Sequence, residues 1–238
     1  MIGKSGIAVR NVRRAPAAAV ASLAKFGVAT IHEAMGRVGL LAPYMRPIYP
    51  GAKLCGPAIT VLGHPGDNWM LHVAAELLQK GDVVVMGLSS ANADGMFGDL
   101  LATSFRARGA VGLVIDASVR DTAELRDMQF PVWSKAVNAK GTIKATVGSV
   151  NTPILCAEAL VHPGDVIVGD DDGVVVVPAA KAAQVAQAAL AREQKETATR
   201  ARLAAGELGL DIYDMRAKVA AAGLEYYDTL DDVPRGGK

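Results

Sequence analysis

Val83-Val84-Val85-Met86 and Val111-Gly112-Leu113-Val114-Ile115 are short apolar runs without polar alternation, the pattern of strands covered on both faces. Between them lie a Gly/Ser/Asn-rich stretch, 87–98, and a helical pattern, 99–108, closed by Gly109. A single helical crossover of this kind predicts two parallel strands whose carboxyl ends open on one edge of a sheet. The scheme extends both ways. Upstream, 58–62 has strand character and is followed by a turn and a helix over 69–79, with Asp67 or Asn68 as its cap and Gly81 as its stop. Downstream, a helix over 122–128 leads to the strand-like Pro131-Val132-Trp133. This succession predicts an α/β fold with a partly parallel central sheet.

The flanking segments fill out the plan. Val20, Leu23, Ala24, Val28, Ile31 and Met35 fall at helical spacing and predict one helix over 17–36, stopped by Gly36. Residues 142–148 alternate with period two, as a strand does. Two valine-rich runs, 166–168 and 174–177, flank Asp170-Asp171-Asp172-Gly173 and predict a hairpin whose carboxylates are solvated. A long alanine-rich helix over 179–207 carries few large apolar residues, Val185, Leu190 and Leu203. A helix with so little to bury needs packing from elsewhere, which predicts a homo-oligomer. Nothing resembling a linker separates the halves, so the chain reads as one domain over 1–238 with 179–238 as its C-terminal helical oligomerisation segment.

Composition excludes several function classes. With 25 basic against 24 acidic residues and a net charge of +1, the chain has no electrostatic basis for nucleic-acid binding. Cys55 and Cys156 form no metal-ligand or disulfide pattern, which suits a reducing cytoplasm. Arg13-Arg14 and the alanine run after them look like a targeting segment only until Lys25 interrupts the run, and no stretch approaches the roughly 20 apolar residues of a membrane span. A membrane partner is therefore not expected.

The chemistry collects at the carboxyl edge of the two strands, where ligands of open α/β sheets bind. The loop after the first strand delivers Asp99 at a helix start, with the backbone N–H groups of Gly98, Leu100 and Leu101 beside it. The loop after the second delivers Arg120 and Asp121. Two carboxylates hold a hard cation such as Mg²⁺ with much of its water, and a guanidinium beside a helix N-terminus suits an organic carboxylate. Together they suit a 2-oxo acid and the enolate derived from it. Spacing alone leaves the plainer reading open, with Asp99 as a helix cap and Arg120-Asp121 as a surface pair. Lys53, Lys80, Lys135, Lys140 and Lys144 flank turns or lie among polar residues and give little support to a Schiff base. His32, His64, His72 and His162 show no metal spacing; His32-Glu33 and the stretch from Asn68 to His72 are candidates for supporting roles.

Gly95-Met96-Phe97-Gly98-Asp99-Leu100-Leu101-Ala102-Thr103, Asp116-Ala117-Ser118-Val119-Arg120-Asp121, Pro131-Val132-Trp133 and Gly164-Asp165-Val166-Ile167-Val168-Gly169-Asp170 together resemble the 4-hydroxy-4-methyl-2-oxoglutarate / 4-carboxy-4-hydroxy-2-oxoadipate aldolases. The likeness extends to 28–34, 66–72 and 206–213. It implies a ribonuclease-activity-regulator-like α/β fold, assembled as trimers or hexamers with sites between subunits, and a Mg²⁺- or Mn²⁺-dependent pyruvate aldolase of bacterial aromatic-acid breakdown, with oxaloacetate decarboxylation as a side activity. By the same resemblance, Arg120 and Asp99 are catalytic, and Gly98, Asp99, Leu100, Leu101 and Arg120 meet the substrate. Asp121 ligates the metal directly and Asp99 through water. A glutamate of an adjacent subunit, placed at Glu196 with Glu193 one turn earlier as the alternative, reaches the metal through water. The same family includes non-catalytic regulators of ribonuclease activity, which bind proteins; Asp99, Arg120 and Asp121 together favour the enzyme.

Overall fold

The computed structural model describes residues 5–234; the ends of the 1–238 span lie outside the described residues. The chain divides into two compact units, 1–191 and 192–238. The first begins with a short strand, β1 (Ile7–Ala8), and two helices, α1 (Ala17–Leu23) and α2 (Val28–Ala34). The single helix expected over 17–36 is therefore broken. Gly27 is extended, and the Asp170 carboxylate accepts the Val28 N–H at 2.8 Å, giving α2 a start of its own. The break lets Leu23, Phe26, Val28 and Ile31 all enter one apolar cluster. Just before α1, the Arg14 guanidinium forks onto the fully buried Asp82 at 2.7 and 2.8 Å, which ties this segment down.

Next come β2 (Arg46–Pro47), β3 (Leu54–Gly63), α3 (Trp69–Leu77), β4 (Val83–Leu88), β5 (Gly95–Phe97), α4 (Asp99–Ala107), β6 (Gly112–Val119), α5 (Thr122–Asp127) and β7 (Val132–Val137). Strands β3, β4, β6 and β7 lie side by side in parallel, with Val84 opposite Leu113 and Leu113 opposite Val132. The continuous apolar runs have a direct cause. Val84 and Met86 enter a core with Phe97, Phe105 and Leu125, while Val83 and Val85 enter a second core with Met45, Trp133 and Val174. Each face of the strand meets its own core, so no position is left for a polar residue. The expected parallel pairing and common carboxyl edge are both present.

Two departures follow in the β-rich part. It contains β8 (Ser149–Val150), a separate two-stranded pair β9 (Ile154–Cys156) and β10 (Ala159–Val161), and the hairpin β11 (Val166–Asp170) and β12 (Gly173–Val177). Among the described residues ten strands share the main sheet, in the order β1-β8-β3-β4-β6-β7-β2, with β5 on β6 and the β11–β12 hairpin joined through β3. The hairpin forms as expected and its turn is solvated, with Asp171 and Asp172 exposed, while it also braces its surroundings: Asp170 and Asp171 accept the N–H groups of Val28, Asp172 and Gly51. The β9–β10 pair was not visible in the patterning. Residues 142–148, which alternate like a strand, form a loop tied to the rest by an isolated bridge between Asp67 and Ile143.

The second unit starts within α6 (Ala182–Ala204), the long helix expected at this end, and continues with α7 (Gly209–Ile212) and α8 (Arg216–Ala221). Arg202 pairs with Glu207 at 2.6 Å and Arg216 with Asp211. Among the described residues 192–234 none is buried, and Leu203, Leu208, Tyr226 and Leu230 are exposed. No helix among the described residues is long and apolar enough to cross a membrane.

Candidate active site

Strand β5 pairs with the end of β6, Gly95 lying opposite Ser118, and the Arg120 N–H donates to the Phe97 carbonyl at 2.9 Å. These bonds set the start of α4 beside the Arg120-Asp121 pair. Asp121 adopts the left-handed conformation, φ 54° and ψ 41°, which few non-glycine residues tolerate. Its Oδ2 accepts the Asp99 N–H at 3.2 Å and lies 3.6 Å from Arg120 Nε. Asp99 is thus the first residue of α4 and not its cap; Gly98 occupies the cap position. A Cβ at Gly98 would stand 2.1 Å from Asp121 Oδ2, so a side chain there would displace this carboxylate.

Gly98, Asp99, Leu100, Leu101, Arg120 and Asp121 line one cleft of ≈ 100 Å³. The Leu101 side chain is buried and that of Leu100 points to solvent. Both residues stand in the first turn, where backbone N–H groups have no partner within the helix. Larger hollows exist, one of ≈ 430 Å³ beside Arg192, Glu196 and Tyr213 within the second unit, but that one contains no paired carboxylates at a helix start. Glu196 itself lies on α6 with its Oε1 2.8 Å from Arg192 Nε, and Glu193 is exposed.

Asn68, His72 and Lys144 also line the cleft. Lys144 had little to recommend it in the sequence, because its place depends on a clamp between distant segments. Asp67, nearly fully buried, accepts the N–H groups of Trp69, Ala145 and Thr146 at 2.9, 2.7 and 2.6 Å, while the Asn68 N–H donates to the Ile143 carbonyl at 3.2 Å. This clamp is also why 142–148 cannot pair as a strand. The visible signal was Gly66-Asp67-Asn68, a turn sequence rich in residues that bond backbone groups. Burial, reinforced by the positive Lys144, lowers the His72 pKa below the ordinary imidazole value, so the ring is neutral at neutral pH.

Burial opposes the charged form of Asp67, yet its backbone N–H partners outweigh that and hold its carboxyl below the usual range. A depressed carboxylate stabilises the fold above its unfolded pKa, near 3.9, and that contribution fades as pH falls through the folded value. Asp67→Ala is expected to cost about 2–4 kcal/mol at pH 7, by leaving buried N–H groups without an acceptor. The difference from wild type should shrink in acid below about pH 4. Urea melts across pH 3–7 check this; a difference that does not change with pH contradicts the assignment.

Among the described residues no group of three or more His, Cys, Asp and Glu side chains could hold a metal ion. The cleft supplies Asp99 and Asp121, with Asp121 held in a cradle that a Cβ at Gly98 would fill. Such a set fits a cation that keeps most of its water, as Mg²⁺ does, and not a closed zinc cage.

The parallel sheet, with a cleft at its carboxyl edge lined by Asp99, Arg120 and Asp121, defines an α/β protein. The chain belongs to the RraA-like, Aldolase/RraA family, whose model matches residues 28–176. A Halalkalibacterium halodurans protein, provisionally named 4-hydroxy-4-methyl-2-oxoglutarate aldolase, is 29% identical over 168 residues, 71% of this chain and 80% of its own length. A Burkholderia multivorans protein with the same provisional name is 31% identical over 143 residues, 60% of this chain and 87% of its own. The crystal structure of Streptomyces coelicolor RraAS2, described as an unusual member of the RNase ES inhibitor RraA family, superposes with a TM-score of 0.73 at 29% identity, covering 80% of this chain and 99% of that one.

Proposed function

We propose that the protein is a divalent-metal-dependent aldolase that cleaves 4-hydroxy-4-methyl-2-oxoglutarate or 4-carboxy-4-hydroxy-2-oxoadipate, releasing pyruvate together with pyruvate or oxaloacetate. The observation that carries this reading is the meeting of Arg120, Asp121, Asp99 and the start of α4 in one cleft; the provisional names of the relatives support it. Arg120 and the N–H groups of Leu100 and Leu101 bind the 2-oxo acid carboxylate. Arg120 also faces the negative charge that develops as the 4-hydroxyl gives its proton to a water in the cleft, C4 becomes a carbonyl carbon, the C3–C4 bond breaks and its electron pair becomes the pyruvate enolate. Protonation at C3 then gives pyruvate. Asp121 directly and Asp99 through water would hold Mg²⁺ or Mn²⁺, which when bound supplies Lewis-acid stabilisation of that charge. Loss of CO₂ from oxaloacetate gives the same enolate, so decarboxylation is the expected side reaction.

The chain acts as one functional domain in a homo-oligomer, in which the exposed part of the 179–238 segment, from Arg192 on, packs on a neighbouring copy and Glu196 of that copy, or Glu193, would complete the ion's water shell. The absence of buried residues among the described residues 192–234 supports this packing. A second reading, a protein-binding regulator of ribonuclease activity, is favoured by the likeness to the Streptomyces structure; fold alone does not separate the two. Pyruvate release from 4-carboxy-4-hydroxy-2-oxoadipate and from oxaloacetate, followed through lactate dehydrogenase with Mg²⁺ and with EDTA, decides between them. The expected result is metal-dependent pyruvate from both, with light scattering of the same preparation returning a trimer or larger. No pyruvate above the uncatalysed rate from either substrate would make the regulator reading the better one, and a monomer would remove the role of Glu196.

A further inference from the structure

Lys135, Lys140 and Lys144 lie on β7 and the loop after it. Lys135 pairs with Asp116 at 3.7 Å and Lys140 with Asp94 at 2.9 Å, whereas Lys144 has no carboxylate partner among the described residues. Its backbone is nonetheless held on both sides. The Ile143 N–H donates to the Gly66 carbonyl at 2.9 Å, and the Ala145 N–H to the Asp67 carboxylate at 2.7 Å. The same loop passes Arg120, since a Cβ on Gly141 would stand 3.4 Å from Arg120 Nη1. Lys144 follows three residues later, at most about 10 Å along the backbone, and lines the same cleft as Asp99, Arg120 and Asp121. Its positive charge is felt by His72 on the cleft wall.

The charges of the cleft fall into two sets. Asp99 and Asp121 answer a divalent cation; Arg120 and Lys144 leave two positive charges for the ligand. A 2-oxo acid with a single carboxylate uses only Arg120 and the start of α4. Both substrates proposed above carry a further carboxylate on C4. We infer that Lys144 binds this C4 carboxylate, so that the cleft selects 2-oxo acids with a second acid group over those ending in an alkyl chain. The inference rests on the aldolase reading for the identity of the ligand. Lys144 takes no proton in this role. It forms a charge-assisted contact with a group that stays on the departing half of the substrate, where it becomes the carboxylate of the second 2-oxo acid. Lys144 is thus a specificity residue.

The test measures binding first, with two ligands that differ only at the far end: 2-oxoglutarate and 2-oxopentanoate, titrated calorimetrically with saturating Mg²⁺. Wild type should bind 2-oxoglutarate about tenfold more tightly, the low end for a contact to a charged group because Lys144 is exposed. Lys144→Gln should bring the two affinities within about twofold by weakening 2-oxoglutarate alone, and Lys144→Arg should restore most of the preference. Unchanged 2-oxopentanoate binding in Lys144→Gln shows that the site is intact, as expected when both backbone ties are kept. Turnover gives the second readout: the ratio of kcat/KM for 4-hydroxy-2-oxoglutarate to that for 4-hydroxy-2-oxopentanoate should fall in Lys144→Gln by the same factor. A wild type without preference, or a Lys144→Gln variant that keeps it, overturns the assignment. Lys144-dependent binding of 2-oxoglutarate without pyruvate release from any substrate supports the carboxylate contact and overturns the aldolase reading instead.

Discussion

Arg120→Ala is expected to lower kcat/KM for pyruvate release by about 10²–10³, the usual cost of removing one electrostatic donor aimed at developing charge. The loss is functional because the fold does not lean on this side chain. Its tether is the backbone N–H to Phe97, which alanine keeps. Its ion pair with Asp121 is 3.6 Å long and nearly half exposed, a class of contact worth about 0–1 kcal/mol. Thermal stability should therefore stay close to wild type while turnover collapses. Arg120→Lys should fall between the two, since it keeps a charge but loses the planar fork that matches a carboxylate. Steady-state kinetics alongside melting curves check both. Near-normal turnover in Arg120→Ala would remove the guanidinium from the mechanism.

What the sequence could show follows from how local each cause is. Val83–Val85 and Leu113–Ile115 are apolar because each strand separates two cores, and that is written in consecutive residues. The meeting of Asp99 with Arg120 and Asp121 follows from one crossover between parallel strands, so connectivity alone delivers it. The missed features depend on partners far away in the chain. The break between α1 and α2 needs Asp170, and the loop carrying Lys144 needs Asp67. Turn residues gave no sign of the β9–β10 pair: its corner is Ala157 and Glu158, both with positive φ, where glycine or asparagine is the usual marker. Ala157 is held there through its N–H by the Asp116 carboxylate at 3.1 Å.

Asp121→Ala is expected to cost about 10³ or more in turnover, since a bound cation supplies several kcal/mol of charge stabilisation and each 1.36 kcal/mol is about tenfold in rate. Activity alone would not separate lost metal from a disturbed helix start, because Asp121 also accepts the Asp99 N–H. Two further variants make the separation. Asp121→Asn keeps an oxygen that can accept this N–H but loses the charge; it should retain wild-type stability and weaken Mn²⁺ binding, read by calorimetry without substrate. Gly98→Ala keeps the Asp121 charge but places a Cβ where its Oδ2 now stands, 2.1 Å away, so the carboxylate must leave its position. If Asp121 is the metal ligand, both variants lose Mn²⁺ affinity and turnover together, one through charge and the other through geometry. A fully active, still EDTA-sensitive Asp121→Ala would contradict the ligand assignment, and the metal would then have to rest on Asp99 and groups supplied by a neighbouring copy.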